Sequence, residues 1–258
     1  MPVSHDSAER FNLIAAGYRT SEVHRSSPTL EHLQSVLPPV KSVCDVACGA
    51  GHAGLFFAGD AVKIVSVDPA PKMLEQVRVL AAERGADVET VQAFAESIPL
   101  PSASFDLVIS RLAAHHFTDL GCAFQEMARL ARVGGCVAII DLEGDEDPAI
   151  DALNHEIEKL HDPTHVRSYA LAQWRRLFLV NSLEILHCES RLRELREGLT
   201  IARWCELGHS GEAATRAIQQ KLSCASPEVL HALDIAQDND GEFRIPVRTF
   251  LLAGSKPA

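Results

Sequence analysis

Two aspartates, a glycine turn and a pair of adjacent histidines are the residues of this chain with the types and spacing to do chemistry. Asp45 precedes the run Gly49-Ala50-Gly51-His52-Ala53-Gly54, which fits the pattern G-x-G-x-x-G. Glycines in such a turn let backbone approach a ligand closely. A helix that follows offers unpaired N–H groups and the positive end of its dipole. Asp68 stands about twenty residues further on, after a second apolar run, where an acid can bind both hydroxyls of a ribose. Together these residues predict a site for an adenosine-type cofactor. Asp45 would repel a pyrophosphate and suits a ligand carrying an ammonium group, which argues against a nicotinamide dinucleotide. His115 and His116 are the acid/base candidates, because histidine titrates near neutral pH and can take a proton from a nucleophile.

These residues need strands to end beside them. Apolar runs at 42–47, 63–68, 88–94, 107–110 and 136–142 read as strands, and 183–187 and 249–255 as two more. Asp45 and Asp68 then fall at strand ends, and Arg111, His115 and His116 fall in the loop after the fourth strand. That is where an open α/β sheet places its ligands. Arg111 is expected to bond the carboxylate of the cofactor. Between the strands, residues 71–83 carry Met73, Leu74, Val77, Leu80 and Ala81 on one helical face, closed by Gly85. Met73 could cover the adenine or simply belong to the core. Residues 119–132, 149–160 and 170–179 read as further helices. Residues 6–37 read as helical, with Ser27-Pro28 as a cap and first-turn proline. Tyr18 and His24 lie there, either on a lid surface or within reach of the site, with Tyr18 a second base candidate. Pro246 places the start of the last strand after it.

The spacing D-x-x-x-G-x-G of Asp45, Gly49 and Gly51 resembles the first motif of class I S-adenosylmethionine (SAM)-dependent methyltransferases. The segment from Ala95-Glu96 to Phe105-Asp106 is similar to the G-D-A-E-x-L-P-F…F-D signature of the methyltransferases of ubiquinone and menaquinone biosynthesis. Arg132-Val133-Gly134-Gly135 resembles that family's R-P-G-G. The resemblance implies a doubly wound, seven-stranded, mostly parallel sheet with an antiparallel last strand, a Rossmann-like fold with a helical cap. It implies one domain over 1–258, with core at 40–145 and 183–258 and cap at 1–39 and 146–182. Three short helices over 199–237, carrying Trp204, would add a partial cap. It also implies that the cofactor's amino-acid tail lies across Gly49, Ala50 and Gly51 and its adenine edge against Ala95 and Glu96. The family's aspartate falls on Phe94, so Phe94 or Gln92 would replace its bond. Relatives place substrate residues in the insertion that here holds His161, His165, Arg167 and Tyr169. With His24, these are candidates for substrate contact or for a lid.

Composition narrows the partners. The chain has 258 residues, 47% hydrophobic, with 24 Lys and Arg against 35 Asp and Glu, a net charge of −11. Nucleic acid binding needs a basic field, so it is not expected. No apolar run reaches spanning length and no membrane partner is expected. Seven cysteines, an odd number, read as reduced thiols of a cytoplasmic protein. The expected cofactor is S-adenosyl-L-methionine, with S-adenosyl-L-homocysteine as product. The expected partner is a small, partly apolar metabolite methylated on oxygen or carbon. No metal site is expected, and a homodimer stays open. The alternatives are non-transfer chemistry with the same cofactor and, on the glycine pattern alone, an NAD-dependent dehydrogenase.

Overall fold

The computed structural model describes residues 5–25, 28–59 and 61–257. Ser27, the expected cap, lies outside them. The chain opens with α1 (His5–Thr20), α2 (Glu22–Arg25) and α3 (Pro28–Val36). It then alternates: β1 (Ser42–Val46), α4 (His52–Phe56), β2 (Lys63–Asp68), α5 (Pro71–Arg84), β3 (Val88–Gln92), β4 (Phe105–Arg111), α6 (Leu120–Leu130) and β5 (Ala131–Leu142). After α7 (Pro148–His161), α8 (Leu171–Val180) and β6 (Glu184–Arg193) come β7 (Leu199–Thr200), α9 (Ile201–Leu207), α10 (Gly211–Cys224) and α11 (Pro227–Ala232). The chain closes with β8 (Ala236–Gln237), β9 (Phe243–Ile245) and β10 (Arg248–Ser255).

Seven strands form one sheet in the order β3-β2-β1-β4-β5-β10-β6. β1 pairs in parallel with β2 and β4, and β10 runs antiparallel between β5 and β6. This is the doubly wound sheet with a reversed last strand that the sequence predicts. Its central strands are near-continuous apolar runs because both faces are covered. Leu30 and Leu33 of α3 pack on one face against Leu107, Ile109 and Leu251. Phe124 of α6 with Trp174 and Phe178 of α8 packs on the other, against Phe250. α5 forms as its spacing predicts, from Pro71 in the first turn to Gly85 in the left-handed cap.

Three expectations change. The helix read to 132 stops at Leu130, because Ala131 already pairs with Phe105 and the Arg132–Gly135 stretch is the irregular start of β5. α8 lies within the 146–182 insertion but packs into the sheet core through Trp174 and Phe178 rather than acting as cap. The expected helices α9, α10 and α11 are joined by a second sheet, β7-β9-β8, and share a separate core with Val23, Ile157, Trp204 and Ile245. That core takes in much of what the sequence assigns to the sheet domain after 183. Strands of two or three residues carry no period that a sequence can display.

A candidate active site of two adjoining cavities

At the carboxyl ends of β1, β2 and β4 lies a cavity of about 90 Å³. Gly49, Ala50, Asp68, Met73, Ala95 and Glu96 line it, with Phe94, His52 and Thr118. Ser7, Phe11 and Tyr18 of α1 close it from the other side. The Asp68 carboxylate is held by the backbone, Oδ2 accepting from Gly49 N–H at 2.9 Å and Oδ1 from Ala70 N–H at 2.8 Å. Burial pushes its pKa up to about 7, although both N–H bonds pull the other way. Gly49 has φ +52, and a Cβ there would meet nothing within 4 Å, so its backbone faces open space. Glu96 braces the loop after β4, accepting from Thr118 N–H at 3.1 Å and Thr118 Oγ1 at 3.0 Å. Gln92 does not reach the cavity, since its amide donates to the Pro69 carbonyl.

A larger cavity of about 360 Å³ adjoins the first. Its lining is mixed, with polar His115, Glu158, His161, Asp162 and His165 and apolar Leu199, Trp204, Ile235 and Ile245 among it. Tyr18, His24, Leu112 and His116 line both cavities. His115 and His116 sit on a short 3₁₀ turn, Ala114–His116, directly after β4. His115 Nδ1 donates to Asp141 Oδ1 at 2.5 Å. The two oxygens of Asp141 also accept from the Ala113, Ala114 and Leu142 N–H groups, so the carboxylate is fixed. Burial works against the His115 charge, but Asp141, with Glu158 and Asp162, outweighs it and raises the pKa. Burial and the neighbouring His115 push His116 down to about 3. His116 Nδ1 donates to the Thr164 carbonyl at 3.2 Å. The pair is therefore split into a basic His115, with Nε2 left to take a proton, and a neutral His116 that ties β4 to the loop after α7.

Residues 44–139 match the family described as a methyltransferase domain. Over 216 residues the chain is 30% identical to the uncharacterized methyltransferase YcgJ of Bacillus subtilis, a match covering 83% of this chain and 84% of that protein. The chain belongs to the class I SAM-dependent methyltransferases. The crystal structure of YcgJ agrees with a TM-score of 0.78 at 28% identity, covering 89% of this chain and 98% of that one. The methyltransferase is also 31% identical over 195 residues to a malonyl-[acyl-carrier protein] O-methyltransferase of Enterobacter lignolyticus, covering 72% of this chain and 74% of that protein. A structure of geranyl diphosphate methyltransferase in complex with SAM shares its fold, with a TM-score of 0.58 at 17% identity over 88% of this chain and 84% of that one. The G-x-G-x-x-G letters of 49–54 thus sit in a methyltransferase loop, and the dehydrogenase reading is not favoured. The finer likeness to the ubiquinone and menaquinone enzymes rests on the Ala95–Asp106 segment and on Arg132-Val133-Gly134-Gly135.

Asp45 and Gly51 of the methyltransferase lie outside the lining of the smaller cavity, whereas Arg111 and Tyr18 line it with their polar groups otherwise engaged or shifted. Asp45 does not line the cavity. Its Oδ2 accepts from Gly54 N–H at 2.7 Å, beneath the turn, while Oδ1 is buried without a partner. Burial pushes its pKa up to about 7. A buried carboxylate so placed favours positive charge in the adjoining cavity without touching it. Gly51, at φ +86, packs against Val77 rather than facing the cavity. α4 is five residues long, so its dipole offers less than the sequence suggests. Arg111 spends its terminal nitrogens on the Val23 and His24 carbonyls and on Glu194, at 3.2 Å or less. Only its buried Nε lacks a partner, so the expected grip on a cofactor carboxylate is largely taken. Tyr18 lines both cavities, and burial, with Asp162 beside it, raises its phenol well above the usual value, which disfavours the phenolate a base would need.

His24, His161 and His165 line the larger cavity. His161 stacks on Trp204 with centroids 4.1 Å apart, and burial lowers its pKa to about 4. His165 stands 5.4 Å from the His115 ring, and burial lowers it to about 2. Both of its ring nitrogens are buried without partners. Arg167 and Tyr169 do not belong there. Arg167 pairs with Asp151 at 3.2 Å, and Tyr169 packs edge-on to Trp174. The sequence reading missed Asp141 and Glu158, the latter pushed up to about 7 by burial. Asp141 left a faint signal, an acid closing the apolar run 136–140. The residues present fit the cofactor: a fixed carboxylate, an open glycine backbone and a buried, partly unsatisfied acid behind them.

Proposed function

We propose that this methyltransferase binds S-adenosylmethionine in the smaller cavity and methylates a small, partly apolar metabolite held in the larger one, on oxygen or carbon. The observation that carries this reading is the shared wall: Tyr18, His24, Leu112 and His116 face both cavities, so the two ligands would meet there. When bound, the cofactor supplies a methyl group already activated by its sulfonium. Asp68 accepts from the ribose hydroxyls, and the Gly49-Ala50 backbone lies along the amino-acid tail. Met73, Ala95 and Phe94 enclose the adenine. His115 takes the acceptor's proton at Nε2, with Asp141 holding the ring in the tautomer this requires and stabilising the imidazolium that forms. The remaining walls align the acceptor and exclude water, and orientation of this kind can supply about 7–11 kcal/mol of a barrier.

Oxygen as acceptor agrees with the relative named as a malonyl-[acyl-carrier protein] O-methyltransferase. The apolar residues in the lining of the larger cavity, Leu199, Trp204, Ile235 and Ile245 among them, support a small, partly apolar metabolite. Among the described residues no helix is long and apolar enough to cross a membrane, and all seven cysteines are free, which supports work in a reducing compartment such as the cytoplasm. The test is a structure with S-adenosylhomocysteine, followed by assay with methyl-labelled SAM against small phenols, carboxylic acids and 1,3-dicarbonyl compounds. The sulfur should sit at the shared wall and one labelled methyl should appear in product. A sulfur turned away from the larger cavity ends the reading. A converted acceptor that carries no label would point instead to non-transfer chemistry.

A further inference from the structure

Away from both cavities, at the edge of the sheet, three side chains from two elements converge. His32 Nδ1 of α3 lies 3.0 Å from Glu189 Oε2 of β6. His187 Nε2, two residues earlier on β6, lies 3.5 Å from the same oxygen. The imidazole centroids are 4.7 Å apart, and the three donor atoms all fall within 4.8 Å of one another. Residues two apart on a strand share a face. His187 and Glu189 pair with Ala253 and Leu251 of β10, which lie on the face that α3 covers. The second observation is an unsatisfied atom. His187 Nε2 is buried and has no hydrogen-bond partner, although it is aimed at the carboxylate.

We propose that His32, His187 and Glu189 form a site for a divalent metal ion of the zinc class, with a fourth position open to water. Two imidazole nitrogens and one carboxylate oxygen suit zinc rather than calcium or magnesium, which take oxygen ligands. Ligands of a tetrahedral zinc at its usual bond lengths stand about 3.3 Å apart. The two histidine–carboxylate separations bracket that spacing, and the two imidazole nitrogens, within 4.8 Å of each other, would close on the ion. An ion there would give His187 Nε2 the partner it lacks. It would also bolt α3 to β6. The same two segments are already joined where Thr29 Oγ1 donates to Glu194 at 2.7 Å. α3 follows the helices that cover the smaller cavity, so the metal would anchor the covering segment and take no part in methyl transfer.

The test uses full-length protein stripped by chelation and titrated with Co²⁺, then competed with Zn²⁺. One equivalent should bind with the visible bands of a four-coordinate nitrogen–oxygen site, and Zn²⁺ should displace it and raise the melting temperature. His187→Ala and Glu189→Gln should each weaken binding at least tenfold, following the loss expected for a metal-site residue. His32→Ala, a change on the helix surface, supplies a third variant, with circular dichroism confirming that each variant folds. Absence of stoichiometric binding overturns the proposal. So does unchanged affinity in folded variants, or a thiolate-to-cobalt charge-transfer band, which would place the metal on cysteine.

Discussion

His115 and His116 are joined by one peptide bond, yet their surroundings shift their pKa values in opposite directions, and the proposed base is His115. His115 is raised above the usual histidine value because Asp141 and the nearby acids outweigh its burial, while His116 is held neutral at about 3. A base must be unprotonated to act, so a raised pKa means that turnover climbs with pH through a midpoint above about 6.5. Asp141→Asn should move that climb to lower pH and depress the plateau, a split that a pH–rate profile reads directly. His115→Ala should cut turnover by about 10²–10⁴-fold with S-adenosylhomocysteine affinity nearly intact. Asp68 offers a second pH test. Its pKa, raised by burial to about 7, leaves it neutral below that pH and a full acceptor above it. Affinity for S-adenosylhomocysteine should therefore rise between pH 6 and pH 8 by calorimetry. Asp68→Ala should weaken binding at least tenfold, about the worth of one hydrogen bond to a charged group, and remove most of that rise. Gly49 and Asp68 were legible because their meaning is local, a turn and a strand end at fixed spacing. Asp141 was not, because its role depends on an imidazole delivered by a different loop. Asp45 was legible as an acid in the right place but not in the direction it points.

At the scale of elements, the β1–α4 unit shows how little room the glycine turn leaves. A Cβ on Gly54 would stand 2.9 Å from the Asp45 Cβ. Gly54→Ala must push α4 off β1 and stretch the 2.7 Å bond from Gly54 N–H to Asp45. Overpacking of this kind costs about 1–3 kcal/mol. The melting temperature should fall by several degrees and cofactor affinity should weaken, because the displaced α4 carries the Gly49 turn with it. Thermal melts and calorimetry on one variant read both. The sheet and α5 could be read from sequence because long apolar runs and a capped helical stripe carry strong periods. The junction of α6 with β5 could not. Arg132 to Gly135 looks like a helix stop, yet the ladder to β4 begins before it, with a Cβ on Gly135 meeting the Phe105 carbonyl at 2.7 Å. The small cap sheet was invisible because its pairings, such as Leu199 with Ile245, join strands too short to announce themselves.

At the scale of the whole molecule, the buried pair of Arg111 and Glu194 joins three distant parts of the chain. Their side chains are 2% and 0% exposed, with the guanidinium 2.8 Å from the carboxylate. Arg111 ends β4, Glu194 follows β6 at the entry to the cap, and the Val23 and His24 carbonyls of α2 accept from the same guanidinium. Removing one charge strands the other, at a cost of about 3–5 kcal/mol. Arg111→Met should show that loss in denaturant melts and loosen amide protection in α2 and the cap together. Arg111→Met with Glu194→Leu should recover much of it. A single-sequence reading could place Arg111 at a sheet edge but not find a partner that folding brings from beyond β6. Tyr18 and His24, on the covering helices, form part of both chambers. With this wall in common, a displacement of the N-terminal helices that opened one chamber would open the other as well.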